Sequence, residues 1–154
     1  MSAIRRFEDI EAWQAARVFN DELWKLISSG AFGRDYALVD QMNRAAGSAM
    51  DNVAEGFDSG SNAEFTRFLR YTQRSCTELK SQLYRALDRG HIDDDRFHQL
   101  ATILQEVSNK TGGLIRYLTR QGKVQSTTNK AQSTKHKEQR TKHKEHRTKH
   151  KEHP

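Results

Sequence analysis

Residues 36–56 read YALVDQMNRAAGSAMDNVAEG, and this stretch predicts the most deeply buried helix of the protein. Its apolar and small residues recur at steps of three and four, which places them on one side of an α-helix. These positions are Leu38, Met42, Ala45, Ala49, Val53 and Gly56. The run from Ala45 to Ala49 contains only small side chains, so a neighbouring helix can approach closely. Because Gly in an exposed helix costs roughly 1 kcal/mol relative to Ala, we expect Gly47 to pack against another backbone.

The segment before this stretch predicts a first helix. Apolar residues recur at helical spacing from Asp9 to Ile27, and the pattern stops at Ser28-Ser29-Gly30. The link to the next helix, residues 30–35, is short, and short links favour antiparallel neighbours.

Two more helices follow the quoted stretch. Ser61 and Glu64 fit a capping box at the start of the third helix, which should end at Gly90 in a left-handed cap. Asp93 can cap a fourth helix that continues to about Arg120. No window alternates with the period of two that marks a strand. Four amphipathic helices with short links predict an all-α fold, an antiparallel up-down-up-down four-helix bundle.

Charge divides the chain into two parts. Residues 123–154 carry ten Lys and Arg against three Glu, a net charge of +7. Residues 1–122 carry 16 basic and 17 acidic residues, a net charge of −1, so the pI near 9.6 reflects the tail. We expect residues 1–122 to form the four-helix bundle and residues 123–154 to form a disordered Lys- and His-rich tail.

Composition also indicates the cellular compartment and the role of the single cysteine. No apolar run reaches the roughly 18 residues of a membrane span, and residues 1–13 lack the apolar core of a signal peptide. A cytoplasmic location without membrane contact is therefore expected. The single cysteine, Cys76, cannot form an internal disulfide, which agrees with a reducing compartment. Its place on an apolar stripe favours a core role over a nucleophilic one.

Two segments resemble the four-helix bundle proteins also called 23S rRNA intervening-sequence proteins. One is FEDIEAWQAA at residues 7–16, and the other is the pattern Q-x-x-R-A-A-x-S-x-x-x-N-x-A-E-G at residues 41–56. The signature residues are Trp13, Gln41, Arg44, Ser48, Asn52, Glu55 and Gly56. The resemblance covers residues 7 to about 118.

This resemblance implies a small bacterial protein that assembles as a ring of five bundles and has no catalytic activity. Members of the family are encoded within insertions in rRNA genes, and a related branch assists reverse transcriptases. The partners that the resemblance implies are therefore further copies of the chain, RNA, and possible protein partners.

Basic residues on the third helix predict a nucleic-acid-binding surface. Four arginines fall opposite the apolar stripe and form a ridge there. They are Arg67, Arg70, Arg74 and Arg85. Guanidinium groups in a row can follow a phosphate backbone, each offering a bidentate fork. The alternative is an ordinary solvated helix face, since Glu78 interrupts the ridge.

No group of residues in the sequence predicts an enzyme or a metal centre. Asn52 and Glu55 are explained by structural ties, with Glu55 accepting N–H bonds across a subunit contact, because no base, nucleophile or metal ligand accompanies them. His91 and His98, assigned to the core, do not combine with an E-x-x-H pair, which argues against a di-iron site. We expect no enzymatic activity, no cofactor and no metal.

The tail is a second candidate for nucleic-acid binding. The units TKHKEQR, TKHKEHR and TKHKEHP follow one another at residues 134–154, and no position of the unit is apolar, so a coiled coil has no seam to bury. Basic side chains here can neutralise phosphates without reading sequence. They are Lys135, Lys137, Arg140, Lys142, Lys144, Arg147, Lys149 and Lys151. A tandem expansion without selected function is the alternative, and the flanking lysines oppose specific metal capture by the tail histidines.

These patterns predict a non-enzymatic homo-oligomeric scaffold that binds RNA or an RNA-containing complex through the basic helix face and the tail. Trp24, Phe32, Tyr36 and Val39 lie near helix ends and off the main stripes, so a second copy is expected to cover them. The alternative is an adaptor that holds another protein, such as a reverse transcriptase or another RNA-processing factor, with nucleic-acid contact incidental.

Overall fold

The computed structural model describes residues 4–28 and 30–149, with side chains described for all of these except 122–130, 136 and 138–149. Five α-helices contain most of the described residues, and no strand occurs among them. The helices are α1 Glu11–Ile27, α2 Gly30–Arg34, α3 Tyr36–Asp58, α4 Asn62–Asp88 and α5 Asp94–Lys149. A 3-10 turn at Phe7–Asp9 precedes α1.

Side-chain contacts show that the long helices alternate in direction. In three pairs of neighbouring helices, the contacts run in opposite directions, with residue numbers rising along one helix as they fall along the other. The pairs are Glu11 with Lys110 and Glu22 with Arg96 between α1 and α5, Gln41 with Arg85 and Ser48 with Ser75 between α3 and α4, and Tyr84 with Phe97 and Gln73 with Gly112 between α4 and α5. The predicted all-α four-helix bundle is therefore confirmed.

The core consists of two buried clusters. The larger cluster receives residues from all five helices, and its fully buried members include Phe19, Leu38 and Leu100. The smaller cluster joins Ile10, next to the start of α1, to Val53 near the end of α3. All six residues of the stripe predicted in residues 36–56 are buried in α3. The period of three and four residues therefore identified the core face of this helix correctly.

The close approach of two helices lies at Gly56 rather than at Gly47. Within the described chain, a Cβ atom added at Gly47 would have only the Oδ2 atom of Asp51 nearby, at 3.9 Å. A Cβ atom added at Gly56 would lie 2.7 Å from the Cβ atom of Phe68 and 2.8 Å from the Cδ2 atom of Phe65. The predicted backbone contact at Gly47 is therefore wrong for the single chain, because α4 contacts this run at Ser48 and Ala49 and not at Gly47.

The predicted caps are confirmed at two helix ends and half confirmed at a third. Gly90 has φ 72° at the end of α4, as predicted. Asp93 Oδ1 accepts the backbone N–H of Arg96 at 2.8 Å and so caps α5. Ser61 Oγ accepts the N–H of Glu64 at 3.2 Å, but the Glu64 carboxylate accepts from Arg67 at 2.8 Å. Only half of the predicted capping box therefore forms.

The predicted link at residues 30–35 contains a short helix, α2. This helix places the Phe32 side chain in the core. Phe32 is 4% exposed, and its ring stacks on the ring of His91 with centroids 4.8 Å apart. Asp35 Oδ2 lies 2.8 Å from His91 Nε2 and 2.8 Å from Arg89 Nη1. The hydrogen bond from His91, and to a smaller extent that from Arg89, lowers the pKa of Asp35 to about 2. The corner thus ties the start of α3 to the end of α4.

Helix α5 extends well past its predicted end near Arg120. The chain divides into two compact units between Leu118 and Thr119. The sequence predicts disorder for residues 123–154, whereas the structure continues α5 as far as Lys149. Residues 123–149 contain neither Gly nor Pro and are rich in Lys, Glu, Gln and Arg, which are good helix formers. Adding residues to an existing helix also needs no new nucleus.

Candidate nucleic-acid interface

The predicted basic ridge separates into a cluster of three arginines and one distant arginine. Arg67, Arg70 and Arg74 are exposed within about two turns of α4. Arg85 is half-buried and donates from Nη1 to Gln41 Oε1 at 2.9 Å. It lies about 16 Å farther along the helix axis than Arg74. Arg85 is therefore engaged with α3, and the candidate surface consists of the other three.

Two aromatic rings lie among these arginines. The guanidinium carbon of Arg67 is 5.5 Å from the ring centroid of Phe68 and 5.9 Å from that of Tyr71. The guanidinium carbon of Arg74 is also 5.9 Å from the Tyr71 ring centroid. Cations within about 6 Å of a ring centroid are attracted to the face of the ring. We call Arg67, Phe68, Arg70, Tyr71 and Arg74 the α4 cluster.

Sequence reasoning missed the aromatic part of the α4 cluster. The ring of Phe68 is half-buried and meets the Tyr71 ring edge to face, with centroids 6.1 Å apart. The sequence spacing of these residues could have indicated that they lie together. Tyr71 follows Arg67 by four residues and precedes Arg74 by three, and residues at these spacings lie on the same helix face.

One carboxylate competes for the positive charge of the α4 cluster. Glu64 Oε2 lies 2.8 Å from Arg67 Nη2, and their side chains are 47% and 56% exposed. Such exposed ion pairs contribute about 0 to 1 kcal/mol, so a phosphate can replace the carboxylate at little cost. In the part of the chain that the structure describes, Arg70 and Arg74 have no carboxylate partner. The cluster therefore carries net positive charge towards solvent.

Helix α5 adds an arginine that the sequence reading did not select. Arg116 Nη1 and Gln73 Nε2 each lie 3.4 Å from the position that a Cβ atom of Gly112 would occupy. The Arg116 side chain therefore lies along α5 at Gly112, on the side where Gln73 of α4 approaches, and Gln73 is one turn from Arg70. A signal was present, because the glycine pair at residues 112–113 inside a helix leaves room for neighbouring side chains.

The signature residues of α3 form a polar seam with α4. Ser48 Oγ lies 3.0 Å from Ser75 Oγ and 2.9 Å from Asn52 Nδ2, which donates to it. Thr72 Oγ1, which is fully buried, donates to the Ala49 carbonyl oxygen at 3.0 Å. Ser48 and Thr72 therefore link α3 to α4, and Asn52 holds the Ser48 hydroxyl from within α3.

The remaining signature residues lie at the surface or in the core. Trp13 is half-buried, with its ring edge-on to Phe7 at 5.1 Å. Arg44 Nη2 pairs with Asp40 Oδ2 at 2.8 Å on the outside of α3. Glu55 is exposed in the single chain, so the predicted subunit contact of its carboxylate stays a prediction.

The tail residues are described only in part. Lys135 and Lys137 are exposed on α5. Five others belong to α5, but their side chains lie outside the described ones. These are Arg140, Lys142, Lys144, Arg147 and Lys149. Lys151 lies outside the described residues.

The described residues contain no group of three or more His, Cys, Asp and Glu side chains placed to hold a metal ion. None of their helices has the length and apolar character that crossing a membrane requires. Cys76 is buried, as predicted, and burial raises the pKa of its thiol to about 11. The thiol therefore stays protonated at neutral pH. His98, by contrast, is exposed and not in the core, because it follows the buried Phe97 on the outer side of α5.

The comparisons with known proteins agree with the extent of the bundle. A family model described as 23S rRNA-intervening sequence protein matches residues 8–113. A search of curated proteins found no match. The matched range includes α1 to α4 and the start of α5, so it contains the whole α4 cluster and excludes the tail.

Proposed function

Because the chain belongs to the 23S rRNA-intervening sequence protein family, we propose that it is a non-enzymatic, cytoplasmic, homo-oligomeric scaffold that binds RNA or an RNA-containing complex. The family description supports a role connected with RNA. The observation that carries the proposal is the α4 cluster, in which three exposed arginines surround two aromatic rings. Its position on one long helix presents these groups in a fixed row.

The proposed mechanism is charge neutralisation without base-specific hydrogen bonds. Each arginine of the α4 cluster can offer a planar pair of donors to a phosphate. Contacts of this kind fix position on the nucleic acid but carry no sequence information. A ring of five copies, as the family resemblance implies, would display five such clusters, and linked weak sites raise overall affinity strongly. The basic tail would add a further sequence-independent contribution.

Neutralising the three arginines should flatten the salt dependence of RNA binding. For the full chain carrying Arg67→Gln, Arg70→Gln and Arg74→Gln, we expect the slope of log K against log[salt] to fall by about 2. Each phosphate contact to a single strand contributes about 0.7 to this slope. Fluorescence anisotropy of a labelled RNA, titrated at several salt concentrations, measures it. A matched control removes three positive charges elsewhere, with Arg17→Gln, Lys25→Gln and Arg34→Gln. Equal slopes for the two triple variants would contradict a specific role of the α4 cluster.

Two exposed aromatic residues support self-association and also favour the alternative function. Trp24 is 60% exposed and Tyr36 is 77% exposed. Large exposed aromatic side chains are enriched in protein interfaces. Phe32, which was grouped with them, is buried within the chain, and Val39 is partly buried against the core, so neither needs a second copy to cover it. The alternative is an adaptor that uses Trp24 and Tyr36 to hold another protein.

Light scattering at tens of micromolar should report an oligomer, with five copies as the expected number. The double variant Trp24→Ser, Tyr36→Ser should dissociate it, because both side chains lose their apolar contact area. A monomeric wild-type protein at this concentration would remove the scaffold proposal. An oligomer unaffected by the double variant would leave these two side chains free for a different protein and would favour the adaptor.

A further inference from the structure

We propose that the α4 cluster binds single-stranded RNA. An unpaired base stacks on the ring of Tyr71, and the neighbouring arginines bind the adjacent phosphates. This inference rests on the proposed function, and it specifies the form of nucleic acid that the site accepts.

Tyr71 is the centre of the α4 cluster. Arg67 and Arg74 lie one turn before it and one turn after it, and each guanidinium carbon is 5.9 Å from the centroid of its ring. The Phe68 ring contacts it edge to face. Because the Tyr71 side chain is half-buried, its ring is held in place before a ligand arrives. A pre-organised ring loses little conformational freedom on binding.

The combination of ring and cations favours an unpaired base. Stacking on aromatic rings and on guanidinium planes is the usual way in which proteins bind unpaired bases, and it tolerates any base. In a duplex the bases already stack on one another and are not free to reach a ring on a helix surface. A duplex can therefore use only the arginines, whereas a single strand can use the arginines and the ring.

Among the described residues, the other aromatic side chains that reach the surface lack this arrangement. Tyr36 is the most exposed tyrosine among the described residues, and no guanidinium lies over its ring there. Trp13 has the guanidinium carbon of Arg17 at 5.7 Å from its ring centroid, but among the described residues this is one arginine, whereas two flank Tyr71. Tyr84 lies on the same helix as Tyr71, is 49% exposed and has no guanidinium over its ring among the described residues, so it is a matched control for Tyr71.

The test compares two ligands of one sequence. A labelled RNA of about 12 nucleotides is titrated as a single strand and as a duplex with its complement. The full chain is used at about 0.2 M salt, where contacts of the basic tail are weakened. For Tyr71→Leu we expect the affinity for the single strand to fall by a factor of about 5 to 150, which is the range for loss of one stacked base. The affinity for the duplex and the salt slope should not change.

Two further variants separate stacking from support of the arginines. Tyr71→Phe keeps the ring and should keep the affinity for the single strand, and Tyr84→Leu should bind both ligands like the wild type. An equal loss for single strand and duplex in Tyr71→Leu would show that the ring only positions Arg67 and Arg74. No loss for either ligand would also overturn the inference.

The arginine variants distinguish failure of this inference from failure of the proposed function. If neutralising Arg67, Arg70 and Arg74 weakens RNA binding while Tyr71→Leu does not, the proposed function stands and stacking is wrong. If neither change alters binding, both are wrong.

Discussion

Gly56→Ala should lower the free energy of unfolding by roughly 1 to 3 kcal/mol, although alanine is the better helix former. The new Cβ atom would lie 2.7 Å from the Cβ atom of Phe68 and 2.8 Å from a ring carbon of Phe65. The first of these contacts is to an atom fixed to the backbone of α4. It cannot be relieved by rotating a side chain, so α4 must move away from α3. Urea unfolding at constant m value measures the loss.

Two other helical glycines provide matched controls. Among the described residues, a Cβ atom at Gly47 would approach only Asp51, and one at Gly113 would lie 3.8 Å from Arg116 Nη2. Gly47→Ala and Gly113→Ala should therefore each stabilise the chain, by up to about 1 kcal/mol, through helix propensity. If Gly56→Ala stabilises as they do, the two helices are not in close contact at residue 56. Destabilisation by Gly47→Ala would instead indicate that another copy packs there.

Truncation after Gly122 should reduce RNA affinity at low salt by a factor of about 100 while leaving the melting temperature unchanged. The removed residues carry ten Lys and Arg against three Glu. If about five phosphates are neutralised, the salt slope should fall by about 3 to 4. Stability should not change, because the chain divides between Leu118 and Thr119 and both core clusters end at or before Leu118.

The tail should also make RNA binding depend on pH. Residues 123–154 contain five histidines, and an unperturbed histidine titrates near 6.5. Lowering the pH from about 7.5 to about 5.5 adds positive charge, so binding by the full chain should tighten. The truncated chain should lose most of this response. Equal RNA affinities of the full and truncated chains at low salt, at both pH values, would show that the tail does not bind and would leave the α4 cluster as the only candidate.

The bundle was predictable because its signals are local. The apolar period of α3, the cap at Asp93 and the left-handed Gly90 depend on residues within a few positions of one another. Helix α2 was missed because Gly30 and Gly33 resemble a link, whereas the burial of Phe32 against His91 depends on residues far along the chain.

The candidate site was only partly predictable for the same reason. The exposed arginines of α4 follow from their angle around the helix. The engagement of Arg85 by Gln41, 44 positions away, does not, nor does the position of Arg116 above Gly112. The sequence shows where a helix has small side chains, but not which of its faces a neighbouring helix contacts, so the close contact was predicted at Gly47. The contact lies at Gly56 because Phe65 and Phe68 of α4 pack there.

The polar seam between α3 and α4 has a consequence for folding as well as for stability. Apolar stripes built from Leu and Ala repeat along a helix, so two such helices can slide by one turn, about 5.4 Å, and still cover much of their apolar surface. After such a slip, the hydroxyl of Thr72 would no longer face the Ala49 carbonyl. A buried polar group without a partner costs about 1 to 3 kcal/mol. The seam therefore selects one alignment of the two helices from several that the apolar residues alone would tolerate.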